Sequence, residues 1–174
     1  TGTLLLSKAP YQNSSFTEVK GIDLDVKQRF RLGDYGRATV GLTWTHVASW
    51  VRAEKNGTRY QSAGTHGNCD TSDCAGTPKD KISSTVSWDR QDLNVTATAN
   101  YRADMQNVYF AGDKCASQYA NGSPAPGNCR LASFTTIDLS ARYQVTQQLQ
   151  VYGSITNLFD KIAPLDPLTY GGMS

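Results

Sequence analysis

From Ile22 to Leu32 the even positions read Ile22, Leu24, Val26, Gln28, Phe30 and Leu32, and the odd ones read Asp23, Asp25, Lys27, Arg29 and Arg31. An alternation this strict predicts a strand with one apolar and one polar face. Gly33-Asp34-Tyr35-Gly36 is turn chemistry. Beyond it Ala38, Val40, Leu42 and Trp44 alternate with Thr39, Gly41, Thr43 and Thr45, the returning arm of a hairpin. A second hairpin runs through Ile82, Ser84, Val86 and Trp88, turns at residues 89–92, and returns through Leu93, Val95, Ala97, Ala99 and Tyr101. The third sets Ile137, Leu139, Ala141 and Tyr143 against Leu149, Val151, Gly153 and Ile155. The pattern predicts an all-β chain, an antiparallel up-and-down meander of about six long strands.

Strand and loop lengths decide what kind of sheet this is. Several arms run ten or more residues, where a globular strand averages about 5–6 and a tilted bilayer-crossing strand needs about 9–11. The three turns are short, but residues 54–80 and 104–133 are long Gly/Asn/Ser/Asp-rich loops. Short turns at one end and elaborated loops at the other are the arrangement of a large transmembrane β-barrel. Phe30, Trp88 and Tyr143 stand near the strand ends that precede the short turns, as in an interfacial aromatic girdle, with Trp50 and Tyr101 as candidates for the opposite girdle. On the polar face Asp23, Asp25, Lys27, Arg29, Arg31, Arg102, Asp138 and Arg142 are expected to line the lumen. The alternative is a secreted soluble β-sandwich, a binding or adhesion module in which the apolar series is sequestered between two sheets.

Composition narrows the rest. The 174 residues are 39% hydrophobic and 18% charged, with a net charge of +2. That balance excludes a nucleic-acid-binding surface. The longest apolar run, residues 4–6, excludes a membrane-spanning helix. No secretion signal is visible at Thr1-Gly2. Six strands are fewer than the roughly eight of the smallest bacterial barrels, so the chain is expected to be part of something larger or to pair its edges with other chains.

Cys69, Cys74, Cys115 and Cys129 form two sequence-local pairs in polar stretches, which favours disulfides, 69 with 74 and 115 with 129, although four cysteines allow three connectivities. His66, Cys69 and Cys74 also count as three possible metal ligands, but the spacing lacks a C-x2-C knuckle, and no metal is expected. No cofactor and no enzymatic activity are expected either: the chain has no G-x-S-x-G, no phosphate-binding loop and no H-E-x-x-H. His46 falls on the apolar series and reads as structural. Asp23 and Asp25 share a strand face, but Lys27 and Arg29 beside them make a charge ladder the better reading than a paired-carboxylate site. Asn56-Gly57-Thr58 reads as a turn within its loop. Tyr60, His66, Tyr109, Phe110 and Tyr119 are aromatics among polar loop residues, candidates for stacking on a solute, with loop-on-loop packing as the alternative.

Three segments carry a resemblance. Tyr11-Gln12-Asn13, then Gly21-Ile22-Asp23-Leu24-Asp25 opening a long strand, and above all Asn157-Leu158-Phe159-Asp160-Lys161 after the last strand resemble the C-terminal region of TonB-dependent outer-membrane receptors of Gram-negative bacteria. The resemblance implies a barrel of about 22 strands with a plugged lumen, to which residues 19–158 contribute six strands. It implies that residues 1–18 lead in as loop or partial strand, that 159–174 start an extracellular loop, and that short turns are periplasmic and long loops extracellular. Nothing here matches the N-terminal plug or the TonB-contacting box, and the final aromatic-ended strand is absent. The implied partners are outer-membrane lipid, the remaining barrel strands and plug, TonB through the absent N-terminal region, and a scarce solute: a ferric siderophore, a cobalamin-like molecule or an oligosaccharide.

Overall fold

The structure, a computed structural model, describes residues 16–67, 76–107 and 130–164. Its main sheet is a meander of six strands, β1 (Phe16–Arg31), β2 (Arg37–Ala53), β5 (Asp80–Arg90), β6 (Leu93–Arg102), β9 (Phe134–Gln144) and β10 (Gln150–Ile155), hydrogen-bonded in chain order and antiparallel throughout. β1 begins at Phe16, three residues before the expected Val19. A short strand, β3 (Arg59–Gln61), adds to the far end of β2. Among the described residues, edge strands β1 and β10 have a neighbour on one side only.

Register turns the sequence alternation into rows across the sheet. One row joins Gln28, Val40, Val86, Ala97, Leu139 and Ile155, and the next joins Val26, Leu42, Ser84, Ala99 and Ile137. Since residues directly opposite one another share a face, the whole apolar series lies on one side. That side is uncovered: Ile22 is 61% exposed, and Leu24, Val26, Phe30, Val40, Val86, Val151 and Ile155 are exposed with it. Leu32 to Ile22 is ten residues, or roughly 33 Å of strand and about 25 Å of height at a ~40° tilt, the height of an apolar membrane band.

The aromatics bracket that band. Phe30 and Trp88 share one row and Tyr143 lies one row nearer the turns, while Trp44 and Tyr101 share the row with Leu24 and Ile82 at the other side. The Trp88 indole N–H donates to the Tyr35 carbonyl at 2.8 Å, so the girdle ring is tied to the first turn. Trp50 does not join the opposite girdle. A bulge between Lys20 and Gly21 shifts the register by one residue on β2 and pairs Trp50 with Val19, beyond the regular rows.

The first hairpin closes through a 3-10 turn, Gly33–Tyr35, followed by Gly36 at φ 91°. A Cβ on Gly36 would stand 2.1 Å from the Asp89 carbonyl oxygen. Conformation and close approach both demand glycine there.

Burial is found elsewhere. Ala53, Ser62, Ala63, His66, Thr77, Pro78, Ala103, Met105, Asn107 and Leu131 are the buried side chains of the described residues, and all lie at the loop end. There β4 (Thr65–His66), β7 (Met105–Asn107) and β8 (Arg130–Leu131) form a second, three-stranded sheet in which β4 and β7 run parallel. The described parts of the two long loops are therefore one packed unit and not the irregular connections that their composition predicts.

Gly36→Ala is expected to weaken the fold by at least about 1–3 kcal/mol, the usual cost of a strained backbone position, with the steric conflict added. A lowered denaturant midpoint would show it, and an unchanged midpoint would refute the account of this turn.

Candidate functional site

The face opposite the apolar series carries every residue expected in the lumen. Asp23 shares a row with Thr45, Lys81 and Arg102; Asp25 with Thr43, Ser83 and Asn100; Lys27 with Gly41, Thr85, Thr98 and Asp138. Arg29 heads a row of Thr39, Ser87, Thr96 and Ser140, and Arg31 one of Arg37, Asp89, Asn94 and Arg142. A depression lined by Asp25, Lys27, Arg29, Thr43, Thr85 and Thr96 extends over β1, β2, β5 and β6, so the sheet is concave on its polar side.

Hydrogen bonds run across the strands on this face. Thr43 Oγ1 donates to Asp25 Oδ2 at 2.8 Å, Ser83 Oγ donates to Asn100 Oδ1 at 2.9 Å, and Asn100 Nδ2 donates to Asp138 Oδ2 at 3.2 Å. Ser87 and Thr96 pair at 2.8 Å, and Asn94 Nδ2 donates to Asp89 Oδ1 at 2.8 Å. Asp25, Asp89 and Asp138 are thus bound by neutral donors, and the short hydroxyl and amide side chains between them form a polar wall. Thr43, Ser83 and Asn100 were not singled out by the sequence, where they read only as polar alternates.

Asp138 has a second role. Its Oδ1 accepts the Asn157 backbone N–H at 2.8 Å, while the Leu158 N–H reaches the Ile137 carbonyl at 2.7 Å. Asn157 and Asp160 both take left-handed backbone, φ 50° and 48°, a conformation Asn and Asp tolerate better than other side-chain-bearing residues. Asn157 Oδ1 accepts the Lys161 N–H at 3.1 Å and its Nδ2 donates to the Lys161 carbonyl at 3.0 Å. The Asn-Leu-Phe-Asp-Lys segment is therefore a capped turn that stops β10 and pins it to β9, while Phe159 remains exposed.

At the loop end of the apolar face, Asp80 Oδ1 meets Trp44 Nε1 at 2.9 Å and His46 Nδ1 at 2.8 Å. Both ring nitrogens donate to the carboxylate, which lets a charged group sit at the edge of the apolar band. His46 is structural in this arrangement, as its place in the apolar series predicts.

The loop unit locates two of the candidate aromatics. Tyr60 on β3 is 39% exposed, whereas His66 on β4 is 1% exposed and offers no ring face to a solute. Its strand is held by β7, with the Thr65 and His66 backbone opposite Gln106 and Asn107. Arg130 and Asp104 form an ion pair across the second loop. Asn56 accepts the Thr58 N–H on its side chain at 2.8 Å with Gly57 at φ 87°, the turn expected there. Tyr109, Phe110, Tyr119, Cys69, Cys74, Cys115, Cys129 and the Tyr11-Gln12-Asn13 segment lie outside the described residues. Among the described residues no cluster of three His, Cys, Asp or Glu side chains is placed to hold a metal ion.

A continuous antiparallel meander with an uncovered apolar face, aromatic rows bracketing it and a concave polar face defines the wall of a transmembrane β-barrel. The chain belongs to the TonB dependent receptor-like β-barrel family, whose model matches residues 2–158. No curated protein matches it. The family is one of outer-membrane receptors with a transport role and is not enzymatic.

Asp138→Ala would leave the part-buried Asn157 N–H without its acceptor, at a cost of about 1–3 kcal/mol. The expected result is roughly tenfold or faster hydrogen exchange at the Asn157 amide, with Asp138→Asn largely restoring protection. Unchanged protection in Asp138→Ala would show that the carboxylate does not hold the turn.

Proposed function

We propose that this chain supplies six consecutive wall strands, together with extracellular loops, to an outer-membrane receptor that imports a scarce solute, a ferric siderophore, a cobalamin-like molecule or an oligosaccharide. The observation that carries the reading is the register: it sends the alternating apolar series to one uncovered face, and between the aromatic rows it keeps every charge on the concave one. In this reading the short turns face the periplasm and the β4-β7-β8 unit faces outward from the cell. Asp23, Asp25, Lys27, Arg29, Arg102, Asp138 and Arg142 border the lumen. The family's TonB and plug partners supply energy coupling through regions other than this one.

Solute contact belongs to the loop unit. Tyr60 is the best placed of the described aromatics, being part-exposed on a strand that β2 holds in place, and Tyr109, Phe110 and Tyr119 join it as proposed contacts. The buried His66 serves the packing that keeps these loops in shape. The four cysteines, all in the same two loops, would brace them as disulfides. A soluble sandwich needs a second sheet over the apolar face, and the described residues provide none.

The wall assignment is tested in the receptor that carries this chain. Leu42→Arg and Val86→Arg, at mid-height on the apolar face, are expected to cost about 2–4 kcal/mol each and to deplete folded receptor from the outer-membrane fraction. Thr98→Arg, on the polar face opposite Asp138, should assemble normally. Equal assembly of all three, or recovery of the unsubstituted protein in the soluble fraction, would sink the barrel reading.

For the loops, Tyr60→Ala is expected to weaken solute binding about 3- to 10-fold, the worth of one aromatic stacking contact. Binding titrations on the intact receptor measure this, and unchanged affinity would remove Tyr60 from the site.

A further inference from the structure

At its loop end the concave face departs from the polar wall that its other rows make. Along the five rows of that face only Phe134 and Tyr152 are aromatic, and they stand at opposite ends of the strands. Phe134 closes the row of Asp23, Thr45, Lys81 and Arg102. It is half-buried on the side away from lipid, so it belongs to neither girdle.

Beside it two cations face each other. Lys81 is directly opposite Arg102, and their other cross-strand neighbours are Thr45 and Phe134. No carboxylate adjoins this pair in its row, since Asp23 stands beyond Thr45. Carboxylates close by are otherwise engaged: Asp25 by Thr43, Asp138 by Asn100, Asp104 by Arg130, and Asp80, on the other face, by Trp44 and His46. Lys81 is exposed and enters no ion pair among the described residues. The Arg102 guanidinium is aimed by two backbone carbonyls, Nη1 donating to Ala103 at 3.4 Å and Nη2 to Ala132 at 3.3 Å. Like charges directly opposite across a strand pair are destabilising, a cost that one anion shared between them removes.

Thr45, Lys81, Asn100, Arg102, Phe134 and Thr136 line a depression of about 330 Å³ across β2, β5, β6 and β9, and most of the surface it exposes is carbon. The depression over Asp25, Lys27 and Arg29, by contrast, exposes mainly polar atoms. A largely apolar hollow with a few convergent polar groups is the form of a small-molecule site.

We propose that this depression is a subsite for an aryl carboxylate, with Lys81 and Arg102 sharing the carboxylate and Phe134 taking the ring. A guanidinium fork matches a carboxylate's two oxygens, and the ammonium adds a point charge beside it. The ring gains an aromatic contact and leaves water. A neutral sugar would stack on Phe134 but leave both cations unmatched, and an inorganic anion would leave the carbon lining wet. The inference rests on the receptor reading and narrows its solute to one that is, or ends in, an aromatic acid.

The test uses the intact receptor in phosphatidylcholine nanodiscs, titrated with benzoate, benzyl alcohol and acetate and followed by saturation-transfer NMR. Empty nanodiscs give the probes' partition into lipid. Benzoate is expected to bind about tenfold more tightly than either partial analogue, and Lys81→Gln to remove about tenfold of that affinity, the worth of one charged contact. Lys81→Arg should restore it, and Phe134→Leu should weaken benzoate several-fold without changing acetate. A probe carrying the carboxyphenyl group at the end of a polyethylene glycol chain separates the two sources: its binding assigns the end of a larger solute, and binding of free benzoate alone assigns a small acid. Benzyl alcohol binding as tightly as benzoate, or unchanged benzoate affinity in Lys81→Gln, would overturn the proposal. Those results leave the receptor reading standing, because that reading falls only if the arginines placed on the apolar face at Leu42 and Val86 assemble normally.

Discussion

Backbone hydrogen bonding without water is the constraint from which this structure follows. In hydrocarbon an unpaired N–H or C=O costs several kcal/mol, so neighbouring strands must stay in register over the whole height of the band. Because side chains alternate with period two, a slip of one residue would turn Arg29 and Arg31 toward lipid and Val26 and Phe30 into the lumen. Register therefore fixes both faces at once. The tight turns are where it is set: Gly36 accepts a backbone geometry and a 2.1 Å approach that no side chain permits, and Trp88 ties the second hairpin to the first turn. Loops at the other end inherit a register already fixed and are free to be long.

A wall of this kind has no core of its own. Its apolar face is solvated by lipid and its polar face by water or by whatever fills the lumen, so the usual signature of folding, buried aliphatic side chains, disappears from the sheet. Burial reappears where the chain leaves the membrane. Ala63, His66, Met105 and Leu131 are all buried at the end where two loops build a small sheet, and the parallel β4–β7 pairing joins segments some forty residues apart in sequence. The two loops are consequently coupled: a change that disturbs Met105 reaches the β4 backbone through β7. The described parts of these loops thus have a packed base even though the loops are long.

What could be read from the sequence and what could not divide along the same line. The six long strands, their turns and the separation of faces were legible because each spans enough residues for period two to be counted, and because Gly33-Asp34-Tyr35-Gly36 punctuates one of the turns. The Asn-Leu-Phe-Asp-Lys segment was legible only as a resemblance. Its physical basis, two left-handed residues and the Asp138 contact, joins positions nineteen apart and leaves no periodic trace. β4 and β8 are two residues each, too short for any period, so the loop sheet was invisible and His66 read as an aromatic among polar neighbours. Trp50 was misplaced for a related reason: a one-residue bulge at Gly21 breaks the alternation on β2, and its sequence signal is a glycine inside a strand, which is also compatible with an ordinary weak position.

The charges on the concave face complete the argument about what register decides. Cross-strand pairing brings Asp25 to Thr43 and Asp138 to Asn100, so those carboxylates are served by the wall itself and need nothing from the lumen. The same pairing brings Arg31 to Arg37, and Arg37 in turn to Asp89 on its other side. Charge on the concave face is therefore set row by row by cross-strand pairing and is independent of the apolar series on the other side.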